Sequence, residues 1–204
     1  MQLSLVPECL DVDAYLQETP EVDYSHPAIR REAERLYERA GTDVDTIRAA
    51  YTFVRDCISH SWDIQSRKVT RSASEVLLGV EGICYAKSNL LAALLRAGGI
   101  PTGFCYQRLT LGDTPDTGYC LHALNAVYVA SAGKWVRIDA RGNKPGVSAE
   151  FSLAEEKLAF PVRPHLGEVD YPAIYANPNS KTMDVLRVNT DCLVMYLNRL
   201  PDEL

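Results

Sequence analysis

Gly98-Gly99-Ile100-Pro101 divides this sequence into two parts with different hydrophobic periods. Upstream, apolar residues recur every three or four positions, the spacing of amphipathic helices. Downstream, runs of β-branched and aromatic residues are separated by polar turns, as in strands. Glycine accepts the left-handed cap of a helix and proline cannot continue one, so the tetrapeptide is a firm stop. Helices first and strands second, without βαβ alternation, indicate an α+β fold.

At 204 residues and 47% hydrophobic content the chain can bury one substantial core, and no linker divides it. Residues 1–204 are therefore expected to form a single domain. A net charge of -6 gives no electrostatic reason to expect nucleic acid or an anionic membrane as partner. The N-terminus, Met1-Gln2-Leu3-Ser4-Leu5-Val6-Pro7-Glu8, has no basic n-region, and the longest apolar run is interrupted by Arg96 and Gly98. A cytoplasmic location is expected. The six cysteines are scattered without a CxxC pair, which fits reduced thiols rather than a disulfide framework or a zinc site. EF-hand and Walker-type loops are absent.

Residues to about Tyr24 read as irregular. Ser25 can cap a helix with Pro27 in its first turn, and Ile29, Ala33, Leu36 and Ala40 keep helical spacing until Gly41. A second helix is expected from about Asp43 to Ile58. His60–Gln65 is a connector, and Ser72-Ala73-Ser74-Glu75 has capping-box spacing before a short helix, Ala73–Leu78. A third long helix covers roughly Cys84–Ala97, with Leu90, Leu91, Leu94 and Leu95 on its buried face. Thr102–Thr110 reads as a strand and Leu111–Gly118 as a polar loop. Tyr119–Ala130 and Lys134–Asp139 form an antiparallel hairpin. Ser152-Leu153-Ala154-Glu155 repeats the capping-box spacing before another short helix. Phe160–Pro178 is expected to lie as an ordered loop over the core. A last helix runs from about Thr182 to Leu200, presenting Leu186, Leu193, Val194 and Leu197.

Three residues at the junctions of these elements carry potential chemistry. Cys84, in Gly82-Ile83-Cys84-Tyr85-Ala86-Lys87, falls in the first turn of its helix. Unpaired N–H groups there favour a thiolate and can stabilise an oxyanion. If the hairpin turns at Ser131-Ala132, Asp139 lies opposite Leu124, and His122 is its same-face diagonal neighbour. Asp139 can then hold one imidazole nitrogen while the other faces Cys84. Each residue also has an ordinary structural reading: a small buried thiol, a half-buried strand histidine, a turn-forming aspartate.

The stretches Gly82–Lys87, Leu94–Pro101, His122–Tyr128 and Gly133–Asp139 together resemble the transglutaminase-like superfamily, over roughly Val54–Gly142. The resemblance implies a papain-like core, its nucleophile helix packed on an antiparallel sheet or barrel, with 150–204 as a packing extension. It implies Cys84 as nucleophile, His122 as base and Asp139 as orienter. It also implies an oxyanion donor upstream of the cysteine, for which Trp62, Gln65 and His60 are candidates, and Tyr85 is a candidate for shaping substrate entry. Leu124 and Ala126 stand where family members often carry tryptophan and an acid, so substrate contacts are expected to differ. Cys105 and Cys120 read as core or near-site residues, and Arg141, Asn143 and Lys144 as a solvated turn or an acid-binding group. No metal and no cofactor is expected.

The expected activity is attack on an amide or ester carbonyl through an acyl-enzyme: peptidase- or amidase-type hydrolysis, with acyl transfer to amines open. The substrate would be a peptide, a protein or a small amide. The alternatives are a non-catalytic protein-binding module on the same fold, and an arylamine-type acetyltransferase using coenzyme A.

Overall fold

In the computed structural model, which describes residues 3–112 and 114–204, helices α1 (Pro27–Tyr37), α2 (Asp43–Cys57) and α3 (Ala73–Gly79) surround a fourth, α4 (Cys84–Ala97). Strands β4 (Thr102–Thr110), β5 (Tyr119–Val129) and β6 (Lys134–Ile138) follow, after three two-residue strands: β1 (Val6–Pro7), β2 (Ser59–His60) and β3 (Glu81–Gly82). With β7 (Val169–Asp170) they build an antiparallel sheet of order β6-β5-β4-β7. β8 (Ala173–Ile174) pairs in parallel with β1, and β2 pairs in parallel with β3. Helices α5 (Ser180–Val188) and α6 (Cys192–Asn198) complete an α+β fold. Met1, Gln2 and Asp113, which the terminal and loop expectations touched, lie outside the described residues.

The core follows from α4. Every residue from Cys84 to Arg96 is buried, not one leucine face alone, because α1, α2 and α3 pack on one side and the sheet on the other. Each leucine fully removed from water there contributes about 1.5–3 kcal/mol. Buried Arg96 links this helix to distant segments: its guanidinium donates to the carbonyls of Gln17, Thr102 and Ala176. Gly99, at φ +74°, takes the left-handed turn that ends the helix before Pro101.

Local signals gave most boundaries. The Ser72–Glu75 capping box forms in both directions. The hairpin register is the expected one, although its loop is longer than Ser131-Ala132. Pairing stops at Val129↔Lys134, and a 3₁₀ turn at Ala130–Ala132 with left-handed Gly133 closes it. Four expectations are corrected. His26, not Ser25, caps α1, its Nδ1 accepting from Ala28 N–H, and the helix ends at Tyr37 rather than at Gly41. Ser152 accepts from Ala154 and Glu155 N–H, but no helix follows, because Glu150 and Lys157 pair as a bridge and draw the segment out. Phe160–Pro178 contributes two short strands. The C-terminal helix is two: Asn189-Thr190-Asp191 breaks it, and Asp191 caps α6 by accepting from Leu193 and Val194 N–H. Val194 and Leu197 consequently point outwards instead of into the core.

Candidate active site

Cys84 is the first residue of α4, and its side chain opens on a cleft of about 660 Å³. Ile83 precedes it without a side-chain cap, so the first-turn N–H groups have no side-chain acceptor and face the site with partial positive charge. Gly82 is tightly enclosed: a Cβ there would stand 3.1 Å from both Thr70 Oγ1 and Ala86 Cβ, so these neighbours would have to give way. The β2–β3 pairing sets His60 beside Gly82, two residues before the thiol.

His122 and Asp139 meet across the hairpin. His122 Nε2–H donates to Asp139 Oδ2 at 2.8 Å, leaving Nδ1 for the thiol side. Asp139 also accepts from the N–H groups of Arg141 and Ala159, at 3.1 Å each, and is entirely buried. Burial by itself raises an aspartate pKa, but the charge and hydrogen bond of His122, with the two backbone donors, hold Asp139 below its ordinary value. For His122, burial opposes the charged form. The charge and hydrogen bond of Asp139 and the nearby Cys84 sulfur outweigh it and raise the imidazole to about 10. Cys84 and His122 line one cleft, and Asp139 holds the far nitrogen of the imidazole.

The other sequence candidates divide. His60 and Trp62 line the cleft, Trp62 stacked on Tyr196 with ring centroids 4.4 Å apart. His60 is buried with its Nδ1 unpartnered among the described residues, and burial, aided by Arg141, drives its pKa well below the ordinary imidazole value. Gln65 is exposed, does not line the cleft, and from a left-handed backbone donates to the Trp62 carbonyl at 2.6 Å. Tyr85 is also corrected: it points into the core and donates to the Leu121 carbonyl. Consecutive helical residues diverge by about 100°, so Tyr85 and Cys84 cannot share one opening. Cys120 lines the cleft and burial pushes its thiol up to about 12, whereas Cys105 is core. Asn143 shapes its loop by pairing with the Ala149 backbone.

Arg141 is not in a solvated turn but buried, forking onto Asp63, which also accepts from Lys144 Nζ at 2.7 Å. Burial raises the Asp63 pKa, and these cations more than compensate, taking it to about 2. Lys87, overlooked in the sequence, lies one turn after Cys84 with its Nζ donating to the Ile58 carbonyl at 2.5 Å. Burial, with the nearby Arg141 charge, lowers its pKa to about 7. The signal was available: a helix apolar on every side leaves its lysine no solvent face. Among the described residues, no three His, Cys, Asp or Glu side chains could hold a metal ion, and no helix is long and apolar enough to cross a membrane.

A family model described as the transglutaminase-like superfamily matches residues 30–140. No curated protein sequence matches the chain. Among solved structures, the chain is similar to one described as "a Putative Cysteine Protease from Cytophaga hutchinsonii", at 19% identity and a TM-score of 0.52, covering 69% of this chain and 46% of that one. It is also similar to the periplasmic domain of TgpA from Pseudomonas aeruginosa, at 18% identity and a TM-score of 0.47, covering 64% and 48%. The chain thus spans just under half the length of either structure. The Cytophaga likeness establishes a shared fold.

Proposed function

Because the chain belongs to the transglutaminase-like superfamily, we propose that it is a cysteine-nucleophile enzyme that attacks amide or ester carbonyls through an acyl-enzyme. One observation carries this reading: a thiol at an uncapped helix start shares a cleft with an imidazole whose far nitrogen is held by a buried carboxylate. The Cytophaga neighbour's description favours a peptide or protein as the substrate.

In the proposed reaction the Cys84 thiolate adds to the carbonyl carbon. The oxyanion is stabilised by first-turn N–H groups of α4 and by His60, which burial keeps neutral and whose Nδ1 is unpartnered among the described residues. Of the three upstream candidates His60 is preferred, since Gln65 does not line the cleft and the Trp62 indole lies flat on Tyr196. His122, as imidazolium, protonates the departing amine as the C–N bond breaks, while Asp139 keeps the ring oriented. Water then adds to the thioester, losing a proton to His122 and releasing the acid and the free thiol. An amine in place of water gives acyl transfer. Hydrolysis is preferred because water needs no second binding site.

The test is the rate of iodoacetamide alkylation of Cys84 against pH, in the native protein and in His122→Ala. Rapid alkylation of Cys84 at neutral pH that slows sharply in the substituted protein is expected. A thiol of ordinary reactivity indifferent to His122 would leave a binding module on this fold.

A further inference from the structure

The cleft beside Cys84 has two kinds of lining that the chemistry at the thiol does not need. The first is aliphatic. Leu111, just past β4, and Leu197, on α6, line it while remaining 44% and 62% exposed, and Leu200 lies beside them. A single exposed leucine is ordinary; two from separate elements turned towards one cleft make a patch suited to an apolar group. The break at Asn189–Asp191 produces this, because it turns α6 so that Leu197 is offered to the cleft rather than to the core.

The second lining is cationic. Arg141 and Lys144 both face the cleft, yet they share one carboxylate, Asp63, which Arg141 already engages with both of its terminal nitrogens. Two cations against one anion leave a positive charge in excess, in a chain whose net charge is -6. Lys144 is half-exposed at the mouth and retains ammonium protons for another acceptor. Glu168, the acid in the lining, is committed to Arg163 and Thr110.

Resting on the cysteine-nucleophile reading above, we propose that the substrate is a peptide carrying an aliphatic or aromatic side chain close to an acidic group. The apolar side chain is taken between Leu111 on one side and Leu197 and Leu200 on the other, where contact with both removes it from water. The carboxylate is taken by Lys144, and a cationic substrate is disfavoured by the same surplus charge.

Peptidyl chloromethyl ketones that differ at one side chain, leucine or serine, and at one charge, aspartate or lysine, test this. The rate of adduct formation at Cys84 is read by mass spectrometry and divided by the iodoacetamide rate of the same variant. Leucine should exceed serine roughly tenfold, and Leu197→Ser should remove that preference. Aspartate should exceed lysine roughly threefold, and Lys144→Glu should reverse the order, making the lysine probe the faster one. Equal rates across the panel, with iodoacetamide still labelling Cys84 readily, would overturn the substrate class and leave the nucleophile standing. A Cys84 that no reagent labels would overturn both.

Discussion

His122 on β5 and Asp139, one residue beyond β6, meet diagonally across the hairpin, and their 2.8 Å hydrogen bond is closed off from solvent. Asparagine at 139 would retain the shape and an acceptor but lose the charge that raises His122 to about 10. Asp139→Asn should slow acylation of Cys84 by an activated ester by roughly 10²–10⁴-fold, the range of general acid–base assistance. The alkaline limb set by His122 should fall towards the ordinary imidazole value of about 6.5. Rate–pH profiles of acyl-enzyme formation measure both, and an unchanged profile would reduce Asp139 to a structural residue.

Two buried cations near Cys84 should pull stability in opposite directions as pH rises. His122 has a raised folded pKa, so its contribution is fully present below the unfolded value of about 6.5. That contribution is lost as pH climbs through about 10. Lys87 has a lowered folded pKa of about 7. Its penalty is full below that value and is relieved as pH approaches the unfolded value of about 10.4. Thermal unfolding of His122→Gln between pH 7 and 10 should therefore show Tm rising with pH, and Lys87→Met should show it falling. The lost hydrogen bond to Ile58 offsets the whole Lys87→Met curve, but the slope carries the test. Parallel slopes in both variants and the native protein would refute the assignment.

Where a signal depends on near neighbours, the sequence held it. The Gly98-Gly99 stop, the Ser72–Glu75 box and the side-chain parity that brings His122 to Asp139 were all readable, and a four-residue hairpin loop preserved the parity of a two-residue one. What was not readable depended on the third dimension. Ser25 and His26 can both cap, and only the entry path of the chain selects His26. Ser152 makes its local hydrogen bonds, yet the segment must stay extended for Ala159 N–H to reach Asp139. Leu193, Val194 and Leu197 have core-like spacing, but Asp191 restarts the helix and turns two of them outwards. Gln65 and Tyr85 were near the site in sequence and point elsewhere, whereas Asp63 and Lys87 came in through partners far along the chain.

Gly103 in β4 should tolerate no side chain. A Cβ there would stand 2.4 Å from Ile174 Cγ2 and 2.9 Å from the Tyr175 carbonyl oxygen. Tyr175 cannot retreat, because its N–H and carbonyl both pair with Phe104. Gly103→Ala should destabilise by about 1–3 kcal/mol, the range for overpacked cores. Thermal unfolding would then fall by about 2–4 °C per kcal/mol for a chain of this size. A variant as stable as the native protein would mean that β8 is free to move away from the sheet.

Arg137, two residues before Asp139 and on the same side of the strand by alternation, ties the site's surroundings together. Its guanidinium is almost wholly buried and forks onto Glu156, at 2.7 Å from both Nε and Nη2, and onto Asp170, at 2.6 and 2.9 Å. Glu156 belongs to the segment that leads to Ala159, the residue whose N–H fixes Asp139. Methionine at 137 should destabilise by about 3 kcal/mol, near the lower end for a broken buried pair, because both carboxylates can still reach water. Lysine should not restore the loss, since one ammonium cannot satisfy two carboxylates with planar, paired hydrogen bonds. Freed from Glu156, the Ala159 segment should hold Asp139 less firmly, so the alkaline limb of Cys84 acylation should shift downwards in Arg137→Lys even where the protein stays folded. Denaturant titration gives the first quantity and the pH profile the second. A lysine variant with native stability and a native profile would show that the paired fork is not what holds this segment against the site.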